Sequence, residues 1–443
     1  MTLTEAPGSL VTEQELAAIR ETVESGLEAF LADLERLCSI DCGSYTPAGV
    51  NEVATWVAAE LESMGATVDR RPDPAGRFGD TVIGTFEGRS GAGPRILLIG
   101  HMDTVFEEGT VAKRPFRIDD GTNESNGAPG RIAQGPGVSD MKAGLLAGLR
   151  AIAALRELAG GSVDAMPFER MTFIANPDEE IGSPSSTPHI VEKAREADAA
   201  FVLECARATG EFVSERKGIA DLRIRVFGKA AHAGVEPEKG RSAILAASDL
   251  VRGIHALNGR WPEVTTNVGV FKAGTRPNIV CDEAELHVDV RATTAANLEN
   301  ALAGIRELAV DPSVPGCTTD IETMAGWAPM EKLERSGRLA DHTIELARRL
   351  GFETEDVATG GASDANTTSG MGVPTIDGLG PIGGMDHSPE EYLEVDSIVP
   401  RTALLAALLL EVGRDAVVAS WRRSAGSAGS AGPAVSGSRP GSR

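Results

Sequence analysis

Between residues 11 and 64 apolar side chains recur at helical spacing, Leu16, Ile19, Val23, Leu27 and Phe30 first and Val53, Trp56, Val57 and Leu61 later. This pattern predicts helices that each bury one face. The rhythm changes near residue 80. Short apolar runs at Arg95–Gly100, Met171–Pro177 and Ala199–Glu204 alternate with helical stretches at Met141–Leu158 and Ile190–Ala197. Such alternation predicts a sheet covered by helices on both faces. The Gly- and Asn-rich stretch Asp119–Gly137 predicts a surface loop.

From about 215 to 325 the pattern differs again. Leu222, Ile224 and Val226 alternate with Arg223 and Arg225, a helix pattern covers Arg241–Asn258, strands follow near 264–271 and 283–291, a helix near 296–309 and a short strand near 317–322. The order β-α-β-β-α-β is that of a split unit able to fold alone as a ferredoxin-like two-layer sandwich. Beyond it a helix at Leu333–Leu350, a buried strand at Val373–Leu379 and a helix at Arg401–Val418 complete the larger unit. The expected fold is therefore α/β: a doubly wound mixed sheet in residues 1–213 and 327–423, interrupted by a smaller unit in 214–326. The Ser-Ala-Gly-rich tail 424–443 is expected to be disordered.

Composition narrows the class. The 443 residues are 42% hydrophobic and 24% charged, which is globular usage, and no apolar run is long enough for a bilayer helix. A net charge of -23 argues against nucleic acid and anionic membranes as partners. Met1–Arg20 lacks a basic segment followed by an apolar one, so no secretory signal and a cytoplasmic location are expected. Five cysteines form no paired framework, and Cys38 with Cys42, one helical turn apart, reads as a buried helix face. His189, His255, His287 and His342 read as surface groups.

The candidate chemistry lies at the ends of the predicted strands, where open α/β sheets place their ligands. His101 follows Arg95–Gly100, and Asp103 stands two residues on, able to fix the imidazole's tautomer. Asp140 sits between a Gly-Pro-Gly turn and a helix, a position that also suits a plain cap. Asp178-Glu179-Glu180 follows Met171–Pro177, Glu204 ends the next strand, and His387 follows a buried strand through Gly380–Gly384. An unpaired carboxylate at a buried strand end costs on the order of several kcal/mol, so Glu204 calls for a cation. His101, Asp140, Glu180, Glu204 and His387, with no thiolate among them, suit catalytic zinc or a similar ion, and two ions fit the set better than one. Glu179 is left in the position of a general base.

His101-Met102-Asp103-Thr104, Gly135–Lys142, Asp178–Ser183, His232-Ala233-Gly234, Gly360–Asp364 and His387-Ser388 occur in the order seen in the carboxypeptidase G, acetylornithine deacetylase and succinyl-diaminopimelate desuccinylase family, which the chain resembles over nearly its whole length. The resemblance implies a catalytic zinc domain interrupted by a dimerisation domain, and hence a homodimer. His101 and Glu204 would hold one zinc, Glu180 and His387 the other, and Asp140 both, with a cis peptide after Asp140. Glu179 would be the base. His232 would reach the neighbouring subunit's site to stabilise the oxyanion. Asn278 and Arg291 would hold a substrate carboxylate, a task suited to a planar guanidinium. Arg216 would touch substrate or a hinge, and Gly361 in the late glycine loop would lie against substrate. Ala362-Ser363 departs from the family's usual Thr-containing loop. Glu204 in place of Asp is similar to the carboxypeptidases and aminoacylases.

The function implied is hydrolysis of the C-terminal amide bond of an N-acyl amino acid or short peptide with a free carboxylate, using two Zn2+ per subunit or Co2+ or Mn2+ in their place. An acetylornithine-deacetylase-like or aminoacylase-like N-deacylase would use the same machinery. A metal-free binding or scaffold protein on a degenerate hydrolase fold is the reading from another class.

Overall fold

The computed structural model describes residues 9–88 and 93–421. A capping box between Thr12 and Glu15 starts the first helix, Glu13–Ser25, whose buried Leu16, Ile19 and Val23 face the core. Helices Leu27–Cys38 and Pro47–Ser63 follow. The large sheet holds six strands in the spatial order Thr67–Arg71, Thr81–Glu87, Arg170–Asn176, Arg95–His101, Ala199–Val202, Thr375–Ile376. The first two run antiparallel at one edge, and the remaining four are parallel.

Register decides where the site forms. His101 pairs with Asn176 and Ile99 with Val202. The residues just beyond these strands, Glu179, Glu180 and Glu204, therefore emerge beside His101 at one carboxyl edge. The apolar helix Ala143–Leu158 and the closing helix Ile398–Arg414 bury most of their side chains.

Residues 218–327 form their own antiparallel sheet, ordered Thr265–Ala273, Glu283–Ala292, Gly218–Phe227, Thr318–Trp327, with helices Ala243–His255 and Ala295–Val310. Leu222, Ile224, Val226, Leu286, Val288 and Val290 fill a core separate from that of the large sheet. Period-2 alternation in these strands gives one buried face, as an antiparallel sheet with one wet side requires.

The structure corrects four expectations. Asp119–Gly137 is not a loop: Arg117–Thr122 and Pro129–Gln134 pair as a hairpin that continues through Tyr392–Glu394. Its turn residues mask a first strand that is mostly exposed and a second that is half-buried. The Val373–Leu379 run is a strand only at Thr375–Ile376, because Gly378 adopts a positive φ and turns the chain. His342 is buried, with Nε2 3.1 Å from Asp415 and Nδ1 3.4 Å from Glu411, on a helix face that polarity alone disguised. Cys42 lies beyond the helix that Cys38 ends, although both are buried. The tail 424–443 lies outside the described residues. No described helix is long and apolar enough to cross a membrane.

Candidate metal centre

His101 is buried at its strand's end. Its Nδ1 lies 3.0 Å from the Asp103 carbonyl and 3.3 Å from the Asp103 carboxylate, which assigns the proton to Nδ1 and leaves Nε2 free as a donor of electrons. Nε2 points at Asp140 Oδ1, 3.0 Å away, and Glu204 Oε1, 3.8 Å away. On the other side His387 Nε2 lies 3.1 Å from Asp140 Oδ2 and 3.1 Å from Glu180 Oε2. The two oxygens of one carboxylate thus face two imidazoles, each accompanied by its own Glu. Asp140 caps no helix; the peptide bond to Met141 is cis, as expected.

His101, Glu179 and Glu204 also bring ligand atoms within 4.8 Å of one another, as do His101, Asp140 and Glu180. Separations of 3.0–3.8 Å between the His101 and His387 nitrogens and these oxygens match adjacent corners around a cation with bonds of about 2.0 to 2.2 Å. Nitrogen and oxygen donors without thiolate fit zinc, cobalt or manganese.

Electrostatics point the same way. Burial, reinforced by the charge of Asp140, raises Glu204 well above the carboxylate range, and burial with Asp140 pushes Glu180 up to about 7. Burial and the charge of Glu204 raise Glu179. Burial also pushes Asp140 upward, but bonds to His101 and His387 outweigh it and hold the group low. Those bonds with Asp140 and Glu180 lift His387 to about 10. Buried negative charge without a cation is shared out among protons in this way, and a divalent ion would replace them.

Three neighbours escape a sequence reading centred on ligands. Ser44 donates to the Asp103 carboxylate at 2.6 Å, and the same carboxylate accepts the backbone N–H groups of Glu179 and Glu180 at 3.2 and 3.3 Å. Asp103 therefore holds both an imidazole and the acidic turn. Glu391, fully buried, accepts backbone N–H groups from Gly137, Ser139 and Asp140 at 2.9, 2.9 and 3.1 Å. Only its place four residues after His387, on the approach to an apolar strand, signalled it. Asp364, from the late glycine motif, accepts from Ser183 Oγ at 2.6 Å and from Asn176, bracing the same turn. Ser363, at the departure from the family pattern, caps the helix Asp364–Gly370 and donates to Asp377.

The remaining candidates are not among the grouped ligand atoms, although the charge of Arg216 acts on Glu204 and Glu179. Arg216 is buried, its Nε 2.7 Å from Asp377 and its Nη1 3.1 Å from the Gly361 carbonyl, so it braces the glycine loop. Arg291 spans the two units: its guanidinium pairs with Asp289, and Nη1 donates to the Gly360 carbonyl at 3.0 Å. His232 is exposed and lies in a loop laced by backbone bonds to Asn278 and Ile279, with Nδ1 accepting the Gly234 N–H at 3.1 Å. Asn278 is exposed on the same lacing.

The model of peptidase family M20/M25/M40 matches residues 97–411. The chain belongs to that family. It is 31% identical to carboxypeptidase G2 of Pseudomonas sp. strain RS-16, over 87% of this chain and 89% of that one. Acetylornithine deacetylase of Proteus mirabilis is 26% identical over 81% of this chain and 88% of its own. The structure of aminopeptidase PepT from Bacillus cereus superposes with a TM-score of 0.69 at 24% identity, covering 87% of this chain and 98% of that one, and supports the fold. As an M20 protein the chain is a hydrolytic enzyme of a metal-dependent family, and its His, Asp and Glu cluster could bind metal.

Proposed function

We propose that this M20 enzyme is a dinuclear zinc hydrolase that cleaves the C-terminal amide bond of N-acyl amino acids or short peptides, with glutamate-type leaving groups first. The observation that carries the reading is the Asp140 carboxylate facing His101 with one oxygen and His387 with the other, each at about 3 Å. His101 and Glu204 would hold one ion, His387 and Glu180 the second, and Asp140 both. The bound ions would supply Lewis acidity for the scissile carbonyl and lower the pKa of the attacking water.

This chain's own groups do the rest. Glu179, whose affinity for protons is raised by burial, takes the proton of the attacking water and later delivers it to the leaving nitrogen. Asp103 keeps the His101 ring and the Glu179-Glu180 turn in place. Arg291 and Asn278 would hold the substrate carboxylate, Arg291 exchanging the Gly360 carbonyl for it, while Arg216 sets the position of the Gly361 carbonyl at the substrate. Residues 214–326 would form a dimerisation domain, and His232 of a second copy would donate to the oxyanion. A cytoplasmic setting agrees with five buried cysteines that form no disulfide.

Sequence similarity to carboxypeptidase G2 favours the carboxypeptidase reading over the deacylase. Kinetics on a panel of N-acyl amino acids and dipeptides, with zinc, cobalt and manganese in turn, tests it. Fastest release of a C-terminal acidic amino acid is expected. A preference for N-acetylornithine would support the deacylase, and fewer than one bound ion per chain with no hydrolysis would support a scaffold.

A further inference from the structure

Beside Glu180 the larger unit contains a cavity of about 390 Å3, lined by residues 43–46, 104–108 and 180–181. Its walls are fixed by backbone: the Ser44 N–H donates to the Thr104 carbonyl at 3.3 Å, and the Thr104 N–H to the Cys42 carbonyl at 3.0 Å. A Cβ on Gly43 would lie 2.3 Å from the Phe106 carbonyl oxygen, so only glycine lets the two walls meet so closely. Two large apolar side chains of this lining, Tyr45 and Val105, are 74% and 39% exposed. The Tyr45 ring is steadied by Phe78, 5.8 Å away between centroids. Preformed walls with exposed apolar side chains beside a reaction centre are what a ligand covers.

The charge of the lining is one-sided. Apart from Glu180 of the proposed metal set, the charged residues of the lining are Glu107 and Glu108, and no Lys or Arg belongs to it. The nearby guanidinium groups of Arg114 and Arg77 lie over the rings of Phe106 and Phe78, at 4.7 and 4.8 Å. Arg291 instead belongs to the glycine loop, through the Gly360 carbonyl. If the substrate carboxylate goes to Arg291, as proposed above, the cavity beside Glu180 is open to its acyl part. We infer that this cavity is the subsite for the acyl group, and that it selects acyl groups with an apolar body and a neutral or cationic end against those that end in a carboxylate. The inference rests on the amide-hydrolase reading above.

The test uses amides of one amino acid, the one cleaved fastest in the panel, carrying acetyl, hexanoyl, 6-aminohexanoyl or adipoyl groups; the last two are nearly isosteric with opposite charge. The metal-loaded wild type should show kcat/KM for 6-aminohexanoyl about 3- to 10-fold above adipoyl, the size expected for exposed charges several ångströms from the end group. In the double variant Glu107→Gln/Glu108→Gln that ratio should fall toward one. Tyr45→Ala should lower the hexanoyl-to-acetyl ratio about tenfold, chiefly through KM, as loss of apolar contact does. Equal rates for the two charged acyl groups in the wild type, or an unchanged ratio in the double variant, would overturn the assignment. Failure to cleave any amide of the panel, whatever its acyl group, would instead sink the hydrolase reading and the subsite with it, so the two failures are distinct.

Discussion

The candidate residues at the carboxyl edge of the large sheet are buried or half-buried and, together with the exposed His387, face one another, whereas His232 and Asn278 of the smaller unit are exposed on loops laced to each other by backbone bonds. Arg291 lies between these extremes, with Asp289 and the Gly360 carbonyl occupying its donors. The first set has the geometry of a preorganised group that could hold metal. On the function proposed above, the second would acquire its task only when a substrate carboxylate or a second chain arrives. Preorganisation at strand ends with completion by a mobile contributor is a common division of labour in enzymes that must admit a substrate and then exclude water.

The largest effect should come from the residue common to both halves of the buried set. Asp140→Ala is expected to remove both ions and abolish measurable turnover, read by metal analysis and kinetics side by side; a variant that keeps two ions would end the bridging role. Next is the exposed set. His232→Ala and Glu179→Ala should each be nearly inactive, yet a re-equilibrated mixture should recover roughly a quarter of wild-type activity, since about half the dimers would then carry one intact composite site. No recovery, with subunit exchange confirmed independently, would return His232 to its own chain or to no role.

Smaller effects sharpen the comparison. Glu391 holds the backbone of the Asp140 loop from the segment that carries His387. Glu391→Gln should weaken metal affinity about 10- to 100-fold, the usual cost of losing a group that orients ligands, and alter the visible spectrum of the cobalt-loaded protein. An unchanged affinity and spectrum would make Glu391 a purely structural residue. Least of all, a bond from Arg414 lowers Glu15 from 4.5 to about 2. A carboxylate depressed on folding contributes stability above its unfolded value and loses it as pH falls through the folded one. Arg414→Ala should therefore cost about 0.2 to 1 kcal/mol at neutral pH, discounted for partial exposure, and flatten the decline in stability between pH 4.5 and 2 in thermal melts.

The strand ends were legible because each apolar run has one length and one exit, and the parallel register then aligns those exits. The split unit was legible because its buried face repeats every second residue. Sequence pattern could not reveal the hairpin at 117–134, whose first strand is largely exposed, whose second is half-buried and whose partner strand begins at Tyr392, nor the buried face of His342. Glu391 and Ser44 escaped for a related reason: they act through backbone amides and a neighbouring carboxylate that only the fold brings near.

Metal stoichiometry of the Glu179→Ala protein tests the central claim most directly. Two ions per chain, retained while turnover falls by about 10² to 10⁴, is the predicted result for a general base beside an intact dinuclear centre. Loss of an ion along with the activity would make Glu179 a ligand, as its approach to His101 and Glu204 within 4.8 Å also permits, and would contradict the account.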